Sequence, residues 1–448
     1  CWSAVPGTNT AYYPLDHYLA IKNEQDIIFR YRNYPSLVLW CAAVESTVGP
    51  DLYLSLKNDL KKFDTTRPFL ATSGVLWDLN LTPYVNEDLP VGLSDDGEPA
   101  WNWHPEPFYF DIIRTVKYQM FRSELGQAAV PELNSLKKFI FNPGKNKNNP
   151  LFPLDSVWAE HGAWDSDGFA FKNYHQEISK RYGAAKDIAD YVKKAQYINA
   201  DGYRAMYEAA NHRMWDITSG VMVWKLNDCA PSVLWQIFDW FLNPNAGYYF
   251  AKKANEPLHI QMNANDFKVS IINRRHKNFE KLKVSASVYD FEQKLKWKKE
   301  IECSIGADCY SEVTEIPRLD EMTNVYFVKL ELADEKGKII SSNFYWKAKK
   351  EQPDLSELGS MQNSKPELKY SIKESEDEFI VEVKLKNTTK NLSFFNRLSL
   401  VDKISNEELL PTFWEDNYIT LFSGEEKTVT ARISKKDAKG SFKVIVEN

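Results

Sequence analysis

The stretch "SLVLWCAAVES", residues 36–46, combines the pattern of a buried strand with a carboxylate at its end. Uncharged, mostly apolar residues run from Leu37 to Val44, and Glu45 follows directly. A continuous apolar run bounded by polar residues is typical of a strand buried on both faces, as in a parallel sheet covered by helices. The stretch therefore predicts a parallel strand that carries Glu45 at its C-terminal end.

Strand and helix patterns alternate on both sides of this stretch, up to residue 254. The run "DLYLSLKNDLKKF" (51–63) has apolar residues at helical spacing, and residues 184–214 form a longer run of the same kind. Further strands are predicted in "RPFLATSG" (67–74), "KYQMFRSELG" (117–126) and "SGVMVWKLND" (219–228), and the last of these is predicted to be buried. This alternation indicates a parallel sheet with helices on its faces.

The pattern changes near residue 255, where apolar and polar residues begin to alternate with period two. One example is "KLKVSASVYDF" (281–291). Such alternation, separated by turns rich in Asp, Gly and Asn, predicts antiparallel sandwiches. A polar stretch at 349–367 is predicted to be a linker, so the domains are expected at 1–254, 255–350 and 351–448.

The composition excludes several classes of protein. The formal net charge is −6 with no basic block, so a nucleic-acid partner is not expected. No run of 18 apolar residues is present to span a membrane. The five cysteines are too scattered for a disulfide framework, and Cys303 and Cys309 either pair across a tight loop or stay reduced. No Cys or His spacing suggests a metal site.

Two predicted strands end in an acid, Glu45 and Glu124. In a barrel of alternating strands and helices, the C-terminal strand ends surround the active site. Paired carboxylates at such a mouth are the groups used in glycoside hydrolysis, in which one donates a proton and the other attacks the anomeric carbon. The spacing alone also fits two solvated loop residues.

The residues around both acids resemble glycoside hydrolase family 2. "RNYPSLVLWCAAVES" (32–46) is similar to the acid/base segment of that family, and "FRSELGQAAVPELNSLKKF" (121–139) is similar to its nucleophile segment. Residues 220–261 resemble the last barrel strand and the exit into the next domain. "PAWNWHPEPFYF" (99–110) resembles the branch that contains exo-β-D-glucosaminidases, endo-β-mannosidases and β-mannosidases.

The resemblance implies a fold and a mechanism. The fold is a partial (β/α)8 TIM barrel followed by two immunoglobulin-like β-sandwiches. Glu45 is expected to be the general acid/base and Glu124 the nucleophile of a retaining exo-acting β-glycosidase, with their carboxyl groups about 5–5.5 Å apart. The substrate is an oligosaccharide or polysaccharide, and the chemistry needs no cofactor.

Val44 departs from the family pattern, which usually has Asn before the acid to hydrogen-bond the sugar 2-hydroxyl. The glucosaminidase branch also departs here, because its substrate carries a 2-ammonium group. Val44 therefore favours an exo-β-D-glucosaminidase. A β-mannosidase, or a relative that binds carbohydrate without catalysis, stays an alternative.

The resemblance also implies substrate contacts around the two acids. Each is equally well explained by packing in the core. The expected substrate-binding residues are Trp40, Trp103, Trp158, His161, Trp224 and Trp235. Glu132 is expected to be a charge at a helix N-terminus, and Asp95, Asp96 and Glu98 to be solvated or to recognise an amine.

Part of the predicted barrel is not found in this sequence. If residues 36–40 are the fourth barrel strand, as the resemblance implies, earlier strands and upstream domains of the same polypeptide are expected before residue 1. Export to the periplasm or the extracellular space is expected from the same resemblance.

Overall fold

The computed structural model describes residues 2–3, 14–44, 49–73, 102–115, 121–140, 154–163, 168–350, 353–362, 364–438 and 440–448. Contacts divide the chain into two compact units. The first comprises Cys1–Ala100, Ile112–Ser123 and Trp215–Met222, and the second comprises Trp101–Asp111, Glu124–Met214 and Val223–Asn448.

The first unit contains a small parallel sheet and two helices. The strands pair in the order β1-β2-β3, and both pairings are parallel. Their bounds are β1 Trp2–Ser3, β2 Trp40–Val44 and β3 Phe69–Ser73, and the helices are α1 His17–Tyr31 and α2 Pro50–Phe63. Their core contains Ile28, Ala42, Ala43, Leu52, Tyr53, Leu56 and Leu60. Parallel pairing was predicted from the sequence, and it is confirmed for these strands.

The predicted bounds of the second strand were wrong. β2 begins at Trp40, whereas the apolar run begins at Leu37. Val38 is 64% exposed, so this part of the run is not buried in the structure. The start of the strand is set by its pairing with β3, which begins at Trp40. Hydrophobicity alone therefore did not locate it.

Helices and strands follow one another between residues 106 and 254. The helices are α3 Glu106–Thr115, α4 Leu133–Phe139, α5 Gly168–Tyr182, α6 Ile188–His212 and α7 Ala246–Ala254. The strands are β4 Phe121–Leu125 and β5 Gly220–Val223, which form a two-stranded sheet. β5 is only partly buried, with Met222 49% exposed, so the prediction of a buried strand was wrong here.

Helix α6 lies inside the second unit, although its sequence pattern is amphipathic. Asp187 caps its N-terminus, where the Asp187 Oδ1 accepts from the Asp190 backbone N–H at 2.9 Å. Polar residues such as Glu208 are as buried as its apolar ones. The Tyr345 hydroxyl donates to Glu208 at 3.0 Å, so the polar face of α6 is paired with side chains of a later domain.

Two β-sandwiches follow α7. The first has one sheet of β10-β7-β6 and one of β12-β11-β8-β9. Its strands are β6 Leu258–Met262, β7 Lys268–Asn273, β8 Phe279–Asp290, β9 Leu295–Ile305, β10 Cys309–Glu315, β11 Val325–Ala333 and β12 Ile339–Ala348. All described pairings within these sheets are antiparallel, as the period-two pattern predicted.

The second sandwich has one sheet of β13-β14-β18-β16 and one of β17-β15-β19. Its strands are β13 Glu367–Glu374, β14 Glu378–Lys386, β15 Ser393–Asp402, β16 Phe413–Trp414, β17 Ile419–Leu421, β18 Glu426–Ser434 and β19 Phe442–Glu447. Its core is continuous with that of the helical region, since residues of both belong to one hydrophobic cluster.

The segment predicted to be a polar linker is packed in its described part. It contains a 3-10 helix, Ser356–Ser360. Leu355 and Leu358 are buried, and the Leu355 backbone N–H donates to the Arg181 carbonyl at the end of α5. Two apolar residues in a polar stretch thus fix this segment to a helix.

The thiols of the first sandwich are reduced. Cys303 and Cys309 are both free, which decides between the two alternatives left by the sequence. No helix among the described residues is long and apolar enough to cross a membrane. The same part of the chain also holds no group of three or more His, Cys, Asp or Glu side chains suited to a metal ion.

Candidate active site

Glu124 and Trp224 lie at neighbouring strand ends. Glu124 is the penultimate residue of strand β4, and Trp224 directly follows β5. The Trp224 backbone N–H donates to the Leu125 carbonyl at 3.0 Å, which sets the C-terminal ends of the two strands side by side. Glu124 is partly exposed and Trp224 is 40% exposed, so a carboxylate and an indole are both available to solvent at one edge.

Gly126 allows this close approach of the two strand ends. A Cβ atom at Gly126 would lie 2.0 Å from the Trp224 carbonyl oxygen, a distance that no side chain tolerates. The glycine in "SELG" therefore serves the packing of β4 against the residue after β5. Any larger residue would move Trp224 relative to Glu124.

Helix α6 supports the segment that follows Glu124. The Tyr203 hydroxyl donates to the Gln127 carbonyl at 3.1 Å, and the Gln127 side-chain amide donates to the Ile198 carbonyl at 3.1 Å. Gly202 leaves room for this amide, because a Cβ there would lie 2.1 Å from Gln127 Oε1. Buried hydrogen bonds thus hold the residues just behind the strand end in one position.

The loop after β5 is ordered around Asp228. This carboxylate accepts hydrogen bonds from Lys225 Nζ at 3.0 Å, from the Cys229 backbone N–H at 2.7 Å and from the Ser232 hydroxyl. Burial raises the pKa of Asp228, but the bonds from Ser232 and Lys225 outweigh it and the pKa lies below its ordinary value. Asp228 therefore remains ionised and shapes the loop.

His161 and Trp235 join the same loop. The Val233 backbone N–H donates to the His161 carbonyl at 3.1 Å, and His161 Nδ1 lies 2.8 Å from the Pro231 carbonyl, to which it donates. Trp235 has φ 56°, and its carbonyl accepts from the Lys225 backbone N–H. The structure thus connects three predicted residues, because Trp224 and Trp235 lie on the loop after β5 and His161 hydrogen-bonds to that loop.

Trp158 is placed in the hydrophobic core. It has no exposed surface, and its ring centroid lies 6.0 Å from that of Tyr191 in a T-shaped arrangement. Packing accounts for this side chain in the structure, and a contact with substrate stays a prediction.

Trp103 and Trp40 are held by polar partners. The Arg181 guanidinium lies 5.6 Å from the centre of the Trp103 ring and forms an ion pair with Glu106 at 2.8 Å. Trp40, in the first unit, donates from Nε1 to Asp64 at 2.8 Å. The predicted roles of both residues in substrate binding stay predictions.

Several predicted residues lie outside the described part of the chain. They are Glu45, Asp95, Asp96 and Glu98. The separation of the Glu45 and Glu124 carboxyl groups therefore stays a prediction. Val44 is the last residue of β2, and its backbone pairs with Ser73 of β3.

Glu132 has a partner that the sequence did not indicate. It does precede α4, as predicted, but its side chain makes no capping bond. The Tyr418 hydroxyl donates to it instead, and Arg397 Nε lies 3.6 Å away. Burial raises the pKa of Glu132, and the charge of Arg397 opposes this only in part. No local pattern predicts a partner 286 positions away.

Comparisons with known proteins match the two sandwiches to two family models. Residues 343–448 match the exo-beta-D-glucosaminidase Ig-fold domain, and residues 265–350 match the mannosidase Ig/CBM-like domain. The prediction of two immunoglobulin-like sandwiches is confirmed.

Relatives and solved structures cover more of the chain. The exo-beta-D-glucosaminidase of Amycolatopsis orientalis is 29% identical over an alignment of 343 positions that covers 70% of this chain and 32% of that protein. The mannosylglycoprotein endo-beta-mannosidase of Lilium longiflorum is 25% identical over an alignment of 477 positions, gaps included, that covers 96% of this chain and 47% of that protein. The crystal structure of Amycolatopsis orientalis exo-chitosanase CsxA has a similar fold, with a TM-score of 0.82, 24% identity, and coverage of 96% of this chain and 53% of that one.

These findings confirm the predicted resemblance to the C-terminal region of glycoside hydrolase family 2, in the exo-β-D-glucosaminidase and β-mannosidase branch. The chain spans 32% of the length of the Amycolatopsis relative and 47% of the length of the Lilium relative. Both relatives are glycoside hydrolases by name.

Proposed function

We propose that the polypeptide carrying this chain is a retaining, exo-acting β-glycoside hydrolase, and that its substrate is a β-D-glucosaminide. One observation carries the proposal. Glu124 lies partly exposed at the end of β4, beside Trp224 at the end of β5. A carboxylate next to an exposed indole is the arrangement needed to attack a sugar that rests on an aromatic face.

The proposed reaction has two steps. In the first, Glu124 attacks the anomeric carbon and forms a covalent glycosyl-enzyme, while Glu45 donates a proton to the leaving oxygen. In the second, Glu45 takes a proton from water, which attacks the same carbon and releases Glu124. This scheme requires the two carboxyl groups to be about 5–5.5 Å apart.

The proposed site also assigns roles to the loop after β5. The exposed face of Trp224 is proposed to lie under the sugar at the non-reducing end. His161 and Trp235 hold the shape of the loop, since both bond to it through backbone groups. Val44, before the acid, fits a sugar that carries an ammonium group at its 2-position, where a hydrogen bond to a hydroxyl is not required.

A β-mannosidase is the second candidate. It is favoured by the match of residues 265–350 to the mannosidase Ig/CBM-like domain and by the endo-beta-mannosidase relative. The proposed mechanism would be the same, with a different group at the 2-position of the sugar.

The barrel and the domain boundaries belong to the same proposal. Residues 1–254 are proposed to be the C-terminal part of a (β/α)8 barrel, followed by sandwiches at 255–350 and 351–448. The parallel order β1-β2-β3 and the adjacent ends of β4 and β5 support it. Export from the cytoplasm is proposed on the resemblance.

Hydrolysis of aryl β-glycosides by the full-length polypeptide tests the function. The panel holds glucosaminide, N-acetylglucosaminide, mannoside, glucoside and galactoside. Cleavage of the glucosaminide alone, lost in both Glu45→Ala and Glu124→Ala, is the expected result. Preference for the mannoside would keep the mechanism and replace the substrate.

A different result is expected if the polypeptide is a carbohydrate-binding relative without catalytic activity. It would bind glucosamine or mannose oligosaccharides, as measured by calorimetry, and cleave none of the panel. Unchanged turnover in Glu124→Ala would overturn the proposed nucleophile.

A further inference from the structure

Strand β13 lies at the end of the sheet β13-β14-β18-β16 in the second sandwich. It pairs with β14 along all 8 of its residues. Among the residues that the structure describes, no strand pairs with the other side of β13. The backbone N–H and C=O groups on that side are therefore available to a further strand, as at any open sheet edge.

The turn between β13 and β14 shows which backbone groups of β13 point outward. The Ser375 N–H donates to the Glu378 carbonyl at 2.9 Å, so these two residues form a hydrogen-bonded pair. In an antiparallel ladder such pairs alternate with pairs that share no hydrogen bond. Residues at odd positions of β13 therefore bond to β14, whereas Leu368, Tyr370 and Ile372 direct their N–H and C=O groups to the open edge.

These same three residues carry apolar side chains on the core face of the sheet. They lie opposite three buried residues of β14, which are Leu385, Val383 and Val381. Tyr370 is nevertheless 38% exposed and Ile372 is 43% exposed. The apolar face of the sheet therefore extends beyond the part of the sandwich that covers it.

The other face of β13 is charged. Glu367, Lys369, Ser371 and Lys373 alternate with the apolar residues, and all four are exposed. Lysines on an edge strand often prevent pairing with another chain. Their effect at this edge depends on which side chains they would face in each register.

One antiparallel register makes β13 complementary to a second copy of itself. When Tyr370 lies opposite Tyr370 of the second copy, Leu368 lies opposite Ile372, and Glu367 lies opposite Lys373. The apolar side chains then share one face, and opposite charges meet at both ends of the other face. Apolar pairs and opposite charges directly across an antiparallel ladder stabilise it.

The two neighbouring symmetric registers are unfavourable. A pair centred on Lys369 places this lysine opposite itself. A pair centred on Ser371 places Lys369 opposite Lys373. Like charges directly opposite each other destabilise a ladder. The lysines of β13 therefore favour the register centred on Tyr370 and do not prevent pairing in that register.

We propose that two copies of the polypeptide associate by antiparallel pairing of their β13 strands about a twofold axis at Tyr370. Two four-stranded sheets then become one continuous sheet. About six backbone hydrogen bonds join the copies, two for each pair that the outward-facing residues make. A contact of one strand is smaller than a standard dimer interface, so a dissociation constant of about micromolar size is expected. The proposal does not depend on the proposed function.

Sedimentation velocity of the full-length polypeptide at about 1 to 100 μM tests the association. A shift from monomer to dimer across this range is expected. Lys373→Glu places an acid opposite Glu367 at both ends of the ladder and is expected to raise the dissociation constant about tenfold. Reversal of both charges, in Glu367→Lys/Lys373→Glu, is expected to restore it to within about threefold. Lys403→Glu, at an exposed lysine of the same sandwich, is the control and is expected to change nothing.

Cysteine substitution at the axis tests the register. Residues opposite each other in a hydrogen-bonded pair have Cα atoms about 5.5 Å apart, a distance that a disulfide can span. Tyr370→Cys is therefore expected to form a covalent dimer under a mild oxidant, measured by non-reducing electrophoresis. Ser371→Cys is the matched control, because the Cα atoms of its two copies would lie diagonally, about 7–8 Å apart. It is expected to form little covalent dimer.

Three results would overturn the proposal. The first is a monomer at every concentration, as when another part of the full-length polypeptide covers β13. The second is a dimer that Lys373→Glu does not weaken, which would assign the contact to another surface. The third is equal cross-linking of Tyr370→Cys and Ser371→Cys, which would contradict the register.

Discussion

Two glutamates eight positions apart, Glu124 and Glu132, have opposite surroundings. Glu124 is partly exposed at the end of a strand beside Trp224. Glu132 is buried, accepts a hydrogen bond from Tyr418 and lies 3.6 Å from Arg397 Nε. Both are carboxylates in one short segment, so residue type does not separate the proposed nucleophile from a buried structural acid. The partner groups and the exposure separate them.

The difference agrees with the role that is proposed for Glu124. A nucleophile needs an open face from which to attack, whereas a buried carboxylate needs donors to replace the water it has lost. Glu132 obtains them from the second sandwich, which links α4 to that domain. Substitution of Glu124 is therefore expected to lower turnover. Substitutions around Glu132 are expected to lower the stability of the fold.

The largest effect is expected from Glu124→Gln. The amide keeps the size of the side chain but cannot form the glycosyl-enzyme, so turnover is expected to fall by at least about 1,000-fold. Steady-state hydrolysis of the preferred aryl glycoside measures it. Glu132→Gln is the matched control from the same segment and is expected to keep turnover within about threefold. An equal loss of turnover in both variants would contradict the proposed difference between the two acids.

Arg397→Met is expected to cost about 3–5 kcal/mol of unfolding free energy, because it leaves Glu132 and Glu408 buried without their cation. Arg397 Nη2 pairs with Glu408 at 2.5 Å, and both side chains are almost fully buried. Urea denaturation measures the change. Glu447→Gln removes a carboxylate that is 53% exposed and 3.1 Å from the same guanidinium, and is expected to cost less than about 1 kcal/mol. Similar costs for the two variants would contradict the importance of burial.

Gly126→Ala is expected to lower both stability and turnover. The added Cβ would meet the Trp224 carbonyl oxygen at 2.0 Å, so the strand ends must separate. A loss of about 2–3 kcal/mol is expected from such overpacking. Thermal denaturation and hydrolysis are measured together. Gly359→Ala, where nothing lies within 4 Å of the added atom, is the control. Normal turnover in Gly126→Ala would show that the position of Trp224 is not critical.

Glu24 extends the comparison to a buried acid that lacks the donors of Glu132. It lies in α1 with 7% exposure, and neither carboxyl oxygen has a hydrogen-bond partner among the described residues. Burial, and to a lesser degree the charge of Asp59, raise its pKa to about 8.

A raised pKa gives the sign of the pH dependence. The folded protein holds this proton up to about pH 8, whereas the unfolded chain loses it near 4.5, so the contribution of Glu24 to stability is present below pH 4.5 and is lost as the pH rises through 8. Glu24→Gln is expected to be more stable than wild type by about 1–2 kcal/mol at pH 8 and equal to it at pH 4. Urea midpoints at both pH values measure this, with Asp26→Asn, an exposed acid of the same helix, as control. A difference that does not change with pH would contradict the assignment.

Local patterns predicted much of the fold. Helical spacing located α2 and α6 to within a few residues, and period-two alternation predicted the antiparallel sheets of both sandwiches. The start of β2 was missed, because Val38 is apolar but exposed, and the described pairing of β2 with β3 begins only at Trp40. The prediction of a polar linker at 349–367 was wrong for the opposite reason. Most of this stretch is polar, but its residues Leu355 and Leu358 are buried.

The residues of the candidate site were also predicted only in part from the sequence. Strand-end position and resemblance predicted Glu124, Trp224, Trp235 and His161. In the structure, Trp224 and Trp235 belong to the loop after β5, and His161 hydrogen-bonds to that loop from a separate segment. Trp158 lies in the core, and Glu45 lies outside the described residues. Exposure of an aromatic residue depends on what covers it, which sequence periodicity does not reveal.

By itself the sequence determined the order of elements, the change from alternating helices and strands to antiparallel sheets, and the two acids at predicted strand ends. These follow from hydrophobic periodicity and residue type, which act over a few positions. Only the tertiary structure decided that Gly126 admits the Trp224 carbonyl and that Arg397 lies beside Glu132. Those facts depend on contacts between residues far apart in the chain, and such contacts are set by how the elements pack.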